Sequence, residues 1–181
     1  MDAEPYEIVN TPSDITPLDE SLVPKMLRSL GESEFSYTAL PPADSKAFLA
    51  DGKGLHLLIY VVKQAKTPVL ITHGTDALAA TAVALYEALR AANLSQLVIF
   101  SCAMTPLAST IQPDGSYDFM RCDGTKSTVH ALQKMRTLEG KSGVYIAANN
   151  GEFFEGNEAL TKIRKEFDTP SSDKRFFYLE E

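Results

Sequence analysis

Residues 68–90, PVLITHGTDALAATAVALYEALR, restrict the fold more than any other stretch of the 181-residue chain. Val69, Leu70 and Ile71 form a short apolar, largely β-branched run suited to a strand buried on both faces, and the polar Thr72-His73-Gly74-Thr75-Asp76 follows at once. Leu78, Ala82, Leu85 and Leu89 are then spaced to share one helical face. Strand, tight loop and helix in that order are the building unit of a parallel sheet, and ligands sit at the carboxyl ends of such strands, where unpaired N–H groups and the helix dipole converge. Two hydroxyls, an imidazole and a carboxylate within five residues are therefore well placed for chemistry. The plainer alternative is an ordinary βα turn with Asp76 or Thr75 as the helix N-cap.

The length fits one domain, taken as residues 1–181 with a peripheral tail at 168–181. A formal net charge of -7 and only short basic runs argue against nucleic-acid or anionic-membrane partners. Cys102 and Cys122 have no metal-ligand spacing around them, so they read as thiols in a reducing compartment, and neither a metal nor a cofactor is expected. The opening MDAEPYEIVNTPSD has no basic segment followed by an apolar one, and no apolar run reaches about 18 residues. The cytosol is the expected location.

Along the chain, residues 6–10 are a weak strand candidate, closed by the turn-prone Thr11-Pro12-Ser13-Asp14. Residues 22–30 suit a short helix with Ser21 as N-cap, Pro24 in its first turn and Gly31 at its end. Residues 35–40 alternate as a second strand would, and Pro41-Pro42 stops them. The spacing of Leu55, Leu58, Ile59 and Val62 predicts a helix within 46–66, weakened by Gly52 and Gly54 at about 1 kcal/mol each. Residues 97–100 (LVIF) read as the next parallel strand, 109–123 as a loop, 127–138 as a helix and 143–148 as the last clear strand. A polar loop covers 149–158, and 159–166 suit a short charged helix. Alternating strands and helices predict an α/β fold: a three-layer αβα sandwich around a mainly parallel, flavodoxin-like sheet.

The run ITHGTDALAATA at 71–82 resembles the second signature of the bacterial-type asparaginase and glutaminase family, and further matches fall in family order. Asp44-Ser45 sits where the family holds its substrate's α-carboxylate. Ser101-Cys102-Ala103-Met104-Thr105-Pro106 is similar to the family's T-G-A-M-x-P turn, which places Ala103 among the substrate-binding positions. Asp123-Gly124 resembles its D-G, with Ser127 where an Asn is usual, and residues 143–147 with Asn149 beyond resemble its G-V-hydrophobic strand. Thr161-Lys162 falls on the family's T-K. The resemblance covers most of the chain but only the family's N-terminal domain.

What it implies is amide hydrolysis, which needs a nucleophile, a base for its proton and donors facing the developing oxyanion. Thr75, Asp76 and Lys162 match the family's Thr-Asp-Lys cluster, in which the lysine and threonine pass protons while the aspartate holds the lysine and binds the substrate's amino group. A desolvated amine is a fitting activator for an otherwise inert hydroxyl. Ser45 would grip the carboxylate and His73 would pack and orient the strand end. His56 and His130 have no companions that would make them ligands and read as surface or packing residues. The implied partner is a small amino-acid amide, and association of several identical copies is expected.

The chain departs from the family at its start. The family's first motif is T-G-G-T-I, whose second threonine is the primary nucleophile on a mobile lid, whereas this chain has Thr11-Pro12-Ser13-Asp14-Ile15. Pro12 donates no N–H and fixes its φ, and a carboxylate at position 14 would repel the substrate's own carboxylate. Thr11, Ser13 and Thr75 are the alternative nucleophiles, and nothing in the sequence selects among them. Two readings follow: an asparaginase-like amidohydrolase whose activity is reduced or lost, or a non-catalytic module that keeps the fold to bind an amino acid or a protein. A nucleotide-binding domain is disfavoured, because no phosphate-binding glycine motif follows any strand.

Overall fold

The computed structural model describes residues 6–8, 15–17, 21–40, 52–74, 77–103, 112–148 and 151–159. In chain order they form β1 (Tyr6–Ile8), β2 (Ile15–Pro17), α1 (Val23–Ser29), α2 (Lys53–Gln64), β3 (Val69–Gly74), α3 (Leu78–Ala91) and β4 (Leu97–Ala103). A 3-10 turn (Phe119–Arg121), α4 (Asp123–Thr137), β5 (Gly143–Ala147), β6 (Phe153–Glu155) and a second 3-10 turn (Gly156–Glu158) complete them. The main sheet has the order β3-β4-β5-β6, with β3, β4 and β5 parallel and β6 antiparallel at the edge. β1 and β2 pair with each other in a separate antiparallel ribbon, Ile8 opposite Ile15.

The continuous apolar run in β4 makes it the centre of the sheet, because Val98, Ile99 and Phe100 lose all contact with water only if both faces are covered. Side chains alternate between those faces. Val98, Phe100 and Cys102 join Leu78, Ala82, Leu85 and Leu89 of α3 and Leu58 and Val62 of α2 in one core. Leu97 and Ile99 turn the other way, to Ala131 and Met135 of α4. α1 lies on this second side, with Met26 and Leu27 clustered around Leu70 and Leu132. Helices therefore cover both faces of a mainly parallel sheet, as the three-layer expectation requires. Burying one such Leu, Ile or Phe contributes about 1.5–3 kcal/mol.

The distribution of helices has a topological consequence. The steps from β3 to β4 and from β4 to β5 run in the same direction across the sheet, yet α3 and α4 pack on opposite faces. Two crossovers of the same hand would put both helices on one face, so one of them has the uncommon left hand. The helices diverge on either side of β4, so the layers part beyond the carboxyl ends of β3 and β4 without any reversal of strand order. That position is equivalent to the switch point at which open α/β sheets bind ligands.

Local signals fix several ends. α1 carries a proline in its first turn, and the Ser21 hydroxyl accepts the Val23 N–H at 3.2 Å although the N-cap position itself is Leu22. It closes in a two-bond cap, Glu32 N–H to Leu27 carbonyl and Gly31 N–H to Arg28 carbonyl, with Gly31 at φ 84. α3 ends in the same way on Asn93, at φ 52. Other expectations are corrected. Residues 35–40 form no strand: alternation needs a neighbouring strand to pair with, and α1 and the Phe119 cluster occupy this side instead. α4 begins at Asp123, four residues before the predicted start, because Gly124, Thr125 and Ser127 are wholly or nearly buried against β4 and α1 rather than exposed as in a loop. A 3-10 turn interrupts the predicted 109–123 loop, and β6 is a strand inside the predicted 149–158 loop. Of the helix expected within 46–66, the part described is α2, with Leu58 and Val62 buried; the helix expected at 159–166 lies outside the described residues beyond Ala159.

Gly143 starts β5 at φ 136, in the region that disfavours side chains, and a Cβ there would meet the Tyr145 ring at 2.7 Å. That ring cannot swing away cheaply, since it stacks on Phe153 with centroids 5.0 Å apart. Gly143→Ala is expected to lower the free energy of unfolding by about 1–3 kcal/mol, read as an earlier urea midpoint at unchanged m-value.

Candidate active site at the carboxyl ends of β3 and β4

The site is approached from four directions. β3 pairs with β4 in unbroken parallel register from Val69↔Val98 to Gly74↔Ala103. Gly74 is the last residue of β3, and the N-cap of α3 is Ala77. Only residues 75 and 76 separate strand from helix. Because the cap position falls on Ala77, with no side-chain cap bond, the reading of Asp76 or Thr75 as the N-cap is not met.

His73 anchors this end of β3. Its ring is 2% exposed, Nδ1–H donates to the Gly74 carbonyl at 2.6 Å, and the ring stands edge-on to Phe100 at a centroid distance of 5.9 Å. Burial holds its pKa well below the usual histidine value of 6.5, so the imidazole is neutral at pH 7. This is the packing and orienting role expected of it. His56 is exposed, and His130 accepts a packing role, bonded through Nδ1 to the Ala148 carbonyl at 3.2 Å with its ring edge-on to Phe153. Cys102 and Cys122 are both buried and form no disulfide.

The end of β4 is held by hydroxyls that sequence reasoning passed over. Ser101 Oγ lies 2.8 Å from both Ser127 Oγ and Thr128 Oγ1, and Ser127 Oγ donates to the Cys102 carbonyl at 2.7 Å. All three side chains are completely buried. Each hydroxyl has one proton, so the chain orders itself: Thr128 donates to Ser101, Ser101 to Ser127, and Ser127 to the Cys102 carbonyl. The ladder to β5 ends at Ser101↔Ala147, and Ser127 takes over the backbone one residue further on. α4 is thereby fastened to the strand end that presents the Cys102–Ala103 peptide. A signal existed in the sequence, three hydroxyl residues at i, i+1 and across from a strand serine, but such residues are as common in loops.

β5 leads to the fourth approach. Beyond β5 the Ala148 N–H bonds the Glu152 carbonyl at 3.0 Å, and β6 runs back antiparallel to β5. The second 3-10 turn then packs on α3: a Cβ on Gly156 would stand 3.3 Å from the Ala82 carbonyl oxygen and 3.0 Å from Val144 Cγ1. Ala159 is fully buried in the same cluster as Leu78 and Ala82. The chain thus returns to α3 three residues before Lys162.

Thr75, Asp76 and Lys162, expected to be catalytic, lie outside the described residues, as do Asp44 and Ser45 and the altered loop residues Thr11, Ser13 and Asp14. Ala103 is described as the last residue of β4. Thr11, Ser13 and Asp14 belong to the connection between Ile8 and Ile15, the innermost pair of the β1–β2 ribbon. Among the described residues no helix is long and apolar enough to cross a membrane.

Comparison with known proteins agrees with this frame. No curated protein matches the chain. The family model described as "Asparaginase, N-terminal" matches residues 55–172, which take in α2 from Leu55 onward, the whole four-stranded sheet, α3, α4 and the Thr161-Lys162 pair. The match begins after the β1–β2 ribbon, and so excludes the loop in which the chain departs from the T-G-G-T-I motif. The chain belongs to the asparaginase family through that family's N-terminal domain.

Proposed function

We propose that the crevice beyond β3 and β4 binds a small amino-acid amide of the asparagine type and hydrolyses it slowly, through Thr75, Asp76 and Lys162. The observation that carries this reading is the shortness of the tethers. Thr75 follows directly on Gly74, which is fixed opposite Ala103, and Lys162 is three residues from Ala159, buried beside Leu78 and Ala82 at the start of α3. Three residues of chain span at most about 10 Å. A lysine side chain added to that reach brings the amine within range of the β3–α3 junction.

In this reading the neutral Lys162 amine takes the Thr75 proton, and the Thr75 oxygen attacks the amide carbon. The tetrahedral oxyanion collapses, the C–N bond breaks, and ammonia leaves with a returned proton; water then hydrolyses the ester to give the carboxylate. Asp76 holds the lysine and receives the substrate's amino group, and Asp44 and Ser45 bind its carboxylate. Thr11 or Ser13 is the other source of a nucleophile. The substitution of Asp14 for the family's threonine supports low turnover, since its charge opposes a substrate carboxylate. The second reading, binding without catalysis, draws support from the same substitution.

Ammonia release from asparagine and glutamine separates the two. Slow release that falls at least about 100-fold in both Thr75→Ala and Lys162→Met is the expected result; no release from the wild type, with a thermal shift on adding asparagine, selects binding alone. Rebuilding the family loop with Pro12→Gly, Ser13→Gly and Asp14→Thr is expected to raise the rate at least about tenfold if electrostatic repulsion and loop stiffness are what limit it.

The site also has an acid limit. His73 is neutral when folded and has a depressed pKa, so the unfolded chain binds the extra proton more readily. Its contribution to stability is complete above about pH 6.5 and is lost as pH falls below that value, by up to about 1.4 kcal/mol per pH unit. Thermal midpoints measured between pH 7.5 and 5 should show this slope in the wild type and a shallower one in His73→Gln.

A further inference from the structure

Charge is divided unevenly over the described residues. Residues 52–74 carry Lys53, Lys63 and Lys66 and no aspartate or glutamate, whereas residues 142–148 and 151–159 carry Glu152, Glu155 and Glu158 and no lysine or arginine. All six of these side chains are exposed.

The cationic stretch centres on α2, whose outer face is also apolar. Leu58 and Val62 turn to the core, while Leu57 and Tyr60, three residues apart on one side of the helix, are 38% and 63% exposed. Tyr60 is the most exposed large apolar side chain among the described residues. Lys53 opens the helix, at the end where the helix dipole disfavours a cation. Neither feature serves the stability of a single copy.

The two charged regions lie on opposite sides of α3. The second 3-10 turn packs on Ala82 of α3 and Val144 of β5, and β6 is the edge strand beyond β5. α2 covers the same face of the sheet and also packs on α3. With the β5 side of α3 taken by the 3-10 turn, α2 has the β3 side. α3 therefore keeps the two regions of one copy apart, and each can meet its complement only on another copy.

We infer that α2 of one copy docks on the β6 and 3-10 edge of a second copy, with Lys53, Lys63 and Lys66 facing Glu152, Glu155 and Glu158 and the Leu57–Tyr60 pair covered between them. The contact joins two different surfaces, so it runs head to tail, and copies add until a ring closes. α2 has 12 residues and is about 18 Å long, too short to cover the roughly 800 Å² per partner of a standard interface. The association is accordingly weak and held in large part by charge.

Sedimentation velocity of the full chain over a concentration series tests the contact. The wild type is expected to associate, with an apparent Kd that rises at least about tenfold between about 0.05 M and 0.5 M salt as screening shortens. Lys63→Glu with Lys66→Glu should abolish association, and Glu152→Lys with Glu155→Lys should do the same, both with the thermal midpoint of the wild type, since all four positions are exposed. Mixing the two reversed variants should restore it, because a reversed helix then meets a reversed edge. Lys63→Gln with Lys66→Gln replaces the glutamate pair if that variant does not fold. A wild type that stays monomeric, association that survives either reversal, or a mixture that fails to associate overturns the assignment; survival of both reversals assigns association to a different surface.

Discussion

The parallel pairing of β3 with β4 is the constraint on which everything else in the domain depends. It is continuous from Val69↔Val98 to Gly74↔Ala103, and it places the polar end of one strand beside the polar end of the next. Val98, Ile99 and Phe100 bury both faces of β4 at once, so a slip of one residue would exchange the α3-facing and α4-facing sets and expose neither to water. Such a slip would still misfit. Phe100 packs against the α2–α3 side with His73 on its edge, and Ser101 needs the hydroxyls of α4. Register is therefore set by specific contacts on each face rather than by burial alone.

The polar groups inside this frame fall into two kinds. Ser101, Ser127 and Thr128 satisfy one another and terminate on the Cys102 carbonyl, a closed arrangement that adds rigidity where the ladder to β5 has ended. Replacing one member would orphan the others, so the network acts as a unit. Thr81 is the opposite case, an open hydroxyl on the far side of the sheet, in the helix that follows the β3 strand end. One kind ties strand to helix, and the other leaves a buried hydroxyl unsatisfied on the α3 face.

Much of this was legible in the chain itself. The runs VLITHG and LVIF announced buried parallel strands, and the 78, 82, 85 and 89 spacing announced a helix face that is buried at all four positions. Residues 35–40 misled because period-two alternation describes a half-buried strand only where a partner strand is available. The start of α4 was missed because Asp-Gly followed by hydroxyl residues is equally the composition of a loop, and only contact with β4 and α1 makes it helix. β6, three residues long between glycines, is too short to carry a period. The hand of a crossover has no local signature at all, so the splitting of α3 and α4 to opposite faces could not be read from sequence. The H-G-T-D and T-K motifs name the residues of the proposed site, whereas the Ser101 network and the unsatisfied Thr81 hydroxyl became visible only through burial and bonding.

The separation between scaffold and first loop also accounts for how the chain could depart from T-G-G-T-I while the rest of the pattern stayed. The residues that flank the β3–α3 junction and precede Lys162 are packing residues: Leu78, Ala82 and Ala159 fill the core, and a Cβ on Gly156 would press on Val144 and the Ala82 carbonyl at 3.0 and 3.3 Å. A change there destabilises the fold by the cost of a cavity or a clash, about 1–5 kcal/mol, which is a large share of a domain's total stability. The loop at 9–14 lies between β1 and β2, which pair with each other in a ribbon separate from the four-stranded sheet. Stability therefore constrains the packing residues that flank the proposed Thr75 and Lys162 positions in the chain, Leu78 and Ala82 after the one and Gly156 and Ala159 before the other.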